Sequence, residues 1–352
     1  MCAPYRPVPR RSYAGSVPSK TAARRPDRDW PRARLHIVTG KGGAGKTTLA
    51  GALAIALAAD GRRTLLVEVE GRQGIAQLFD TPPLPYAERR IAAAPGGGEV
   101  RALAVDVEAA LIEYLGLFYN LTRAGRALRR MGAIDFATTI APGLRDVLLT
   151  GKVKEAVTRV ADGHRVYDAV VLDGPPTGRI ARFLSVNDAV GDLARVGPIK
   201  TQSDGVMAVL RSSQTAIHLV TLLEEMPVQE TIDAVDQLCA AGLRASSVLV
   251  NLTRPPLLPA RELARAASGR LDVGRLATAL GKAGLQNPEL ASMLAAEAHE
   301  HAVRCALEEG YRTEITKLAL PTLELATLPP PMDLGGLYEL ADELRASGVR
   351  TA

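Results

Sequence analysis

A glycine-rich loop, TGKGGAGKTT, occupies positions 39–48 and matches the pattern G-x-x-x-x-G-K-T. Its glycines allow the backbone to wrap so that successive N–H groups point at phosphate oxygens. Lys46 would place a positive charge on the β- and γ-phosphates of a nucleotide, and the hydroxyl of Thr47 is suited to ligate Mg²⁺. The pattern therefore predicts a phosphate site made of Gly40, Gly42, Gly43, Ala44, Gly45, Lys46, Thr47 and Thr48.

A second lysine lies in the same loop. The chain has eight lysines against thirty-five arginines, and two of the eight are Lys41 and Lys46. Lys46 and the loop amides already supply the contacts that the phosphates of one nucleotide require. Lys41 has no clear purpose within one subunit, so it needs a separate explanation.

An aspartate at the end of an apolar run is the second candidate group. Asp173 closes the segment AVVLD and is followed by GPPTG. An aspartate that ends a strand is usually only a turn residue. After a strand this apolar, a functional carboxylate is favoured, which would orient the water shell of Mg²⁺ from a neighbouring parallel strand.

These residues are positioned by alternating strands and helices. The apolar run RLHIVTG leads into the loop, TTLAGALAIALAADG follows as a helix, and RRTLLVEVE is predicted as the next strand. Further strands are predicted at YDAVVLDGPP, TAIHLVT, SSVLVNLT and PTLELATL, and a peripheral hairpin around Ile91 and Val100–Val105. The alternation predicts an α/β fold, a P-loop NTPase with a mainly parallel sheet flanked by helices.

Helical patterns interrupt this alternation. They predict an inserted helical subdomain at about 107–162, with breaks at Gly116, Gly132 and Ala141–Gly143, and at about 186–213, within a helical stretch near Ser185–Arg211. Roughly Pro259–Lys317 is also predicted helical, and LGGLYELADELRASG is the closing helix. We expect one core over 34–352, preceded by a disordered, basic, Pro/Arg-rich tail over 1–33.

Charge and composition exclude several classes of function. The net charge is +5, but residues 1–34 hold nine basic and two acidic side chains, a net +7, so residues 35–352 carry −2. No nucleic-acid surface is therefore expected on the body. There is no apolar run of about eighteen residues for a membrane span, and the tail has no apolar core of a secretory signal. Three scattered cysteines fit a reducing cytoplasm.

The motifs together resemble a known family. KGGAGKTT matches the deviant Walker A loop of a P-loop ATPase group, and DGPPTGRIARFL resembles the switch II segment D-x-A-P-T-G-x-x-x-R-x-L of its ArsA-like branch. That branch includes the arsenite-pump ATPase and the targeting factor for tail-anchored membrane proteins. VDVEAALIEY, LLEEMPVQET and VLVNLT are similar to family segments in the family's order, so the resemblance runs from about 34 to 347.

The resemblance implies roles for individual residues. Lys46 and Thr47 match the phosphate and Mg²⁺ positions, and Asp173 matches the switch II acid that holds Mg²⁺ through water. Asn251 matches an adenine-contacting asparagine, and the loop around Pro329 would flank the base. Lys41 matches the signature lysine, which reaches the phosphates of the partner subunit. The resemblance thus implies ATP and Mg²⁺ as ligands.

The sequence departs from the family at switch I. The pattern D-P-A-H-N-x-x-x-x-F becomes EGRQGIAQLF, so that Glu70 stands where an aspartate aligns the attacking water. Glu68, two residues away, is the alternative acid, and hydrolysis by the altered segment is expected to be slow. The CxxC zinc motif of the targeting factor is absent, and Cys239 and Cys305 have the pattern of helix-packing residues rather than a metalloid site.

Three functions follow as hypotheses. The first is a dimeric ATPase switch that couples nucleotide state to a helical effector or cargo site. The second is a partition- or positioning-type ATPase, which the acidic body disfavours. The third is a weakly active regulatory subunit paired with a paralogous ATPase. The partner is accordingly a second copy or a paralogue, and a hydrophobic protein or lipid is the expected cargo. For the apolar residues of the insertion, ordinary core packing is favoured over such a cargo groove.

Overall fold

The computed structural model describes residues 33–119, 143–193, 198–285, 287 and 289–349. Most of the predicted tail and the arginine-rich part of the first insertion, 120–142 with Gly132, lie outside the described residues.

A mostly parallel eight-stranded sheet forms the centre of the molecule. Its order is β10-β9-β8-β1-β7-β2-β4-β3, and every neighbouring pair is parallel except the edge pair β3–β4. β5 and β6 form a separate small hairpin. The strands are β1 (Leu35–Gly40), β2 (Arg63–Glu68), β3 (Arg89–Ala94), β4 (Gly98–Ala104), β5 (Val160–Ala161), β6 (His164–Arg165), β7 (Ala169–Asp173), β8 (Thr215–Thr221), β9 (Ala245–Thr253) and β10 (Thr322–Ala326).

Helices cover both faces of the sheet, which confirms the predicted α/β class with a P-loop NTPase architecture. The described helices are α1 (Lys46–Ala58), α2 (Gly74–Leu78), α3 (Val107–Tyr119), α4 (Leu144–Thr158), α5 (Thr177–Leu193), α6 (Pro198–Leu210), α7 (Glu225–Ala240), α8 (Ala260–Ala267), α9 (Val273–Lys282), α10 (Leu290–Lys317) and α11 (Leu334–Ala346). Among them, none combines the length and apolar character that a membrane crossing requires.

The apolar composition of the central elements explains why they are buried. All six residues of β1 are buried, as expected for a central parallel strand with helices on both faces. α1 is rich in alanine and leucine and is buried from Leu49 to Ala58, where it packs against α11. A second apolar cluster, with Phe183 fully buried, lies on the opposite face beneath α4, α5 and α6.

The structure corrects two predicted boundaries. α3 continues through Gly116, where a break was predicted. α5 begins at Thr177 rather than near Ser185, because Pro176 ends the preceding loop and its carbonyl accepts the first helical bonds from Arg179 and Ile180. The predicted hairpin near Ile91 is confirmed. Of the predicted break at Ala141–Gly143, the described residue Gly143 is non-helical, with φ 94°, and precedes α4.

Candidate functional site

The glycine loop lies between β1 and α1, at the carboxyl edge of the sheet. Gly43 and Gly45 have φ values of 86° and 89°, in the left-handed region that only glycine adopts without strain. At Gly40 a Cβ atom would approach the carbonyl oxygen of Val220 to 2.2 Å. Thr48 lies half-buried in the first turn of α1. The loop therefore combines left-handed glycine turns with a helix N-terminus, the two features that a phosphate site uses.

Lys46 is the half-buried cation of this loop. Its Nζ donates to the carbonyl oxygen of Lys41 at 3.4 Å. Burial lowers the pKa of Lys46, and the nearby carboxylates of Asp173 and Glu70 oppose that effect. The carboxylates of Asp173, Glu70 and Glu230 all act on this ammonium group, so a polyphosphate would compete with them.

Thr47 and Asp173 are joined across the sheet. β1 and β7 are adjacent and parallel, so the loop after β1 and the carboxylate that ends β7 meet at one edge. The hydroxyl of Thr47 donates to Oδ2 of Asp173 at 2.7 Å. Oδ1 of Asp173 is buried without a hydrogen-bond partner, and burial raises the pKa of this carboxyl to about 6. An unpaired buried carboxylate oxygen beside a hydroxyl is a hard oxygen set that fits Mg²⁺ and its water.

The two switch I glutamates have different surroundings. Glu68 ends β2 opposite Asp173 and is 3% exposed. Its Oε2 accepts from the backbone N–H of Ile75 at 3.3 Å, which ties it to the short helix α2. Glu70 lies beyond the strand end, is more accessible, and pairs with Arg72 at 3.6 Å. Both charges act on Asp173.

An arginine of α5 connects Glu70 with the helical region. Nη2 of Arg179 donates to Oδ1 of Asp146 at 3.1 Å, and its Nη1 is 4.0 Å from Oε1 of Glu70. Asp146 lies in the first turn of α4. One guanidinium therefore lies between the switch I carboxylate and α4, the helix that begins after Gly143.

Lys41 is paired inside its own subunit, with a residue that sequence reasoning missed. Its Nζ is 3.4 Å from Oε1 of Glu230 on α7. Oε2 of Glu230 accepts from the hydroxyl of Thr177 at 2.9 Å. Glu230 stands within the segment LLEEMPVQET, and its position on the helix that follows β8, next to β1, is the signal that could have found it.

Asn251 and Pro329, the two predicted adenine contacts, occupy different environments. Asn251 is 5% exposed, and its Nδ2 donates to the carbonyl oxygen of Ala44 at 2.9 Å, so that it braces the glycine loop. Its approach also explains Gly45, where a Cβ atom would lie 2.3 Å from Nδ2. Pro329 lies exposed in the loop between β10 and α11. Cys239 is exposed on α7 rather than packed, which corrects its predicted packing role.

Comparison with known proteins identifies relatives over most of the chain. The model of the family described as anion-transporting ATPase matches residues 33–211. The ATPase BagA of Mycobacterium tuberculosis is 56% identical over 328 residues, which cover 91% of this chain and 96% of that protein. An arsenical pump-driving ATPase of Acidiphilium multivorum is 25% identical over 86% of this chain and 53% of its own length. That of Escherichia coli is 26% identical over 65% and 41%.

Proposed function

Because the chain belongs to the anion-transporting ATPase family, as its resemblance to ArsA-like ATPases predicted, we propose that it is an ATP-binding and ATP-hydrolysing switch that works as a dimer in the cytoplasm. The observation that carries the proposal is the bond of 2.7 Å between Thr47 and Asp173 beside Lys46. The ammonium group of Lys46, the hydroxyl of Thr47 and the carboxylate of Asp173 thus lie together at the N-terminus of α1.

The proposed phosphate chemistry divides among these side chains. Lys46 and the loop amides bind the β- and γ-phosphates. Thr47, directly, and Asp173, through water, would hold Mg²⁺, which when bound neutralises charge on the phosphate oxygens. The unpaired Oδ1 of Asp173 supports this assignment, because a buried carboxylate oxygen without a partner is costly unless a ligand or water satisfies it.

Glu70 is the carboxylate that we assign to the attacking water. Its side chain is 19% exposed and its ion pairs are long, so it can accept a proton or orient water from solvent. Glu68 is the weaker candidate, because one of its oxygens already accepts from Ile75 and holds α2. The longer arm of Glu70, compared with an aspartate, supports slow turnover.

Arg179 offers a route from the nucleotide to the helical region. A change in Glu70 on hydrolysis alters its attraction for Arg179, and Arg179 in turn holds Asp146 at the start of α4. α4 packs against both α3 and α6. We assign these three helices to the described part of the effector or cargo site, for which a hydrophobic protein or a lipid is the proposed cargo.

The proposed dimer follows from Lys41, which would contact the nucleotide of the partner subunit. A second copy of the chain is the simplest partner. The alternative is a paralogous ATPase, with this chain as a weakly active regulatory subunit, and the changed switch I segment favours it. A positioning-type ATPase is disfavoured by the net −2 charge of residues 35–352.

Calorimetric titration of ATP with Mg²⁺ tests the proposal. Lys46→Ala should weaken binding about 100-fold, since the loss of a charge-assisted contact to phosphate removes about 2–3 kcal/mol. Lys282→Ala, which removes an exposed lysine at the end of α9, is the matched control and should bind as the unmodified protein does. Equal ATP affinity of Lys46→Ala and the unmodified protein would show that the loop is not the phosphate site.

A further inference from the structure

Glu230 uses its two carboxylate oxygens on two different parts of the proposed switch. Oε1 lies 3.4 Å from Nζ of Lys41, in the glycine loop. Oε2 accepts from the hydroxyl of Thr177, the first residue of α5, at 2.9 Å. Thr177 is 2% exposed, whereas the side chains of Glu230 and Lys41 are about one-third exposed. One glutamate therefore links the loop to the helix that follows Asp173.

This contact opposes the role proposed for Lys41, which is to contact the phosphates of the partner subunit's nucleotide. The ammonium group points to α7 of its own subunit, so it must leave Glu230 before it can reach a partner's phosphates. A partly exposed ion pair is weak and is screened by salt, so the exchange is accessible under ordinary conditions.

We propose that Glu230 is a positioning residue that retains Lys41 within its own subunit until nucleotide rearranges the segment between Asp173 and Thr177. The proposal rests on the dimeric function proposed above. The segment is tied to the sheet at a second point, because the hydroxyl of Thr39 donates to the carbonyl oxygen of Pro175 at 2.6 Å. A shift of Asp173 on binding Mg²⁺-ATP would therefore reach Thr177, Glu230 and then Lys41 through adjacent contacts.

Glu230→Gln separates the two bonds of this residue. The amide oxygen can still accept from Thr177, while the negative charge that holds Lys41 is removed. Glu225→Gln, on the exposed first turn of the same helix, is the matched control. Affinity for ADP, measured on each variant, checks that its nucleotide site is folded.

The measurement is the concentration of a non-hydrolysable ATP analogue that gives half-maximal dimerisation, followed by light scattering. Glu230→Gln should lower this concentration about two- to fivefold, in line with the worth of a part-exposed ion pair. The shift should shrink at high salt. The shift in midpoint should vanish in the Lys41→Ala background, because residue 230 then has no lysine to hold.

Two results would overturn the role of Glu230. The first is an unchanged midpoint in Glu230→Gln when the unmodified protein dimerises normally. The second is an equal shift in the Lys41→Ala background, which would assign the effect to Thr177 packing alone. If the unmodified protein binds ATP but does not dimerise with the analogue, the proposed dimeric function fails as well, so the two failures are distinguishable.

Discussion

The carboxylate of Asp173 should destabilise the nucleotide-free protein in which it lies. Burial raises the pKa of this group from 3.8 to about 6. A shift of about two pKa units corresponds to about 3 kcal/mol. At pH 7 we therefore expect Asp173→Asn to raise the free energy of unfolding by about 2–3 kcal/mol. The amide has nearly the same shape, keeps an acceptor oxygen for Thr47 and carries no charge.

The gain in unfolding free energy from Asp173→Asn should increase as the pH rises from 4 to 7. An acid whose pKa is raised in the folded state contributes stability below its unfolded pKa and loses it as the pH rises through the folded pKa. The unmodified protein should lose this contribution between about pH 4 and pH 6, while Asp173→Asn does not. The difference between the two proteins is therefore small at pH 4 and complete at pH 7.

Urea unfolding at pH 4, 5, 6 and 7 measures the difference, with Asp162→Asn as the control at an exposed turn position. The melting temperature at pH 7 should rise by about 4–6 °C, from about 2 °C per kcal/mol for a domain of this size. Mg²⁺-ATP should reverse the order of stability, because only the unmodified protein binds it tightly. A variant that is less stable than the unmodified protein at pH 7, or a difference independent of pH, would refute the burial argument.

Three further predictions concern the same site and the sheet beneath it. Glu70→Gln should keep ATP affinity and lower turnover about 100-fold, as expected for loss of a general base; a larger loss of turnover in Glu68→Gln would reverse the assignment. Arg179→Lys keeps the positive charge but cannot span two carboxylates. We expect this variant to bind ATP normally and to lose the nucleotide-dependent change in amide hydrogen exchange of α4, with Arg145→Lys as the control. An unchanged exchange pattern would show that Arg179 does not couple the two regions. His36 is fully buried, and burial lowers its pKa to about 4. As the pH falls from about 6.5 to 4, the free energy of unfolding of the unmodified protein, measured in urea, should therefore fall by about 3 kcal/mol relative to that of His36→Asn. A difference that is independent of pH would contradict a buried, neutral His36.

The elements that position the loop could be predicted from the sequence, because each is defined by the residue types within one short segment. β1 and β7 are fully buried and mostly apolar, as central parallel strands are, and a glycine-rich segment directly after such a strand is typical of a phosphate loop. The same runs place Asp173 at a strand end. Adjacent parallel strands then bring Asp173 and Thr47 to one edge, so this part of the site follows from topology.

The remaining contacts depend on tertiary proximity that no local pattern encodes. Lys41, Thr177 and Glu230 come together only because Lys41 follows β1, while α5 and α7 follow β7 and β8, the strands on either side of β1. The start of α5 at Thr177 was mispredicted, since Pro-Pro-Thr-Gly has the composition of a loop, although proline favours the first turn of a helix. The predicted adenine role of Asn251 stays a prediction, with its Nδ2 bonded to Ala44 in this structure.

A mixing experiment tests most directly whether Lys41 acts on the nucleotide of a partner subunit. Lys41→Ala and Lys46→Ala are each expected to hydrolyse ATP far more slowly than the unmodified protein. In a mixed dimer, the intact Lys41 of one subunit can contact the nucleotide bound by the intact Lys46 of the other subunit. An equal mixture should therefore regain about a quarter of the unmodified rate, because half of randomly paired dimers are mixed and each holds one complete site. If the mixture is no faster than the two variants alone while the unmodified protein is active, Lys41 acts within its own subunit and the dimeric switch is wrong.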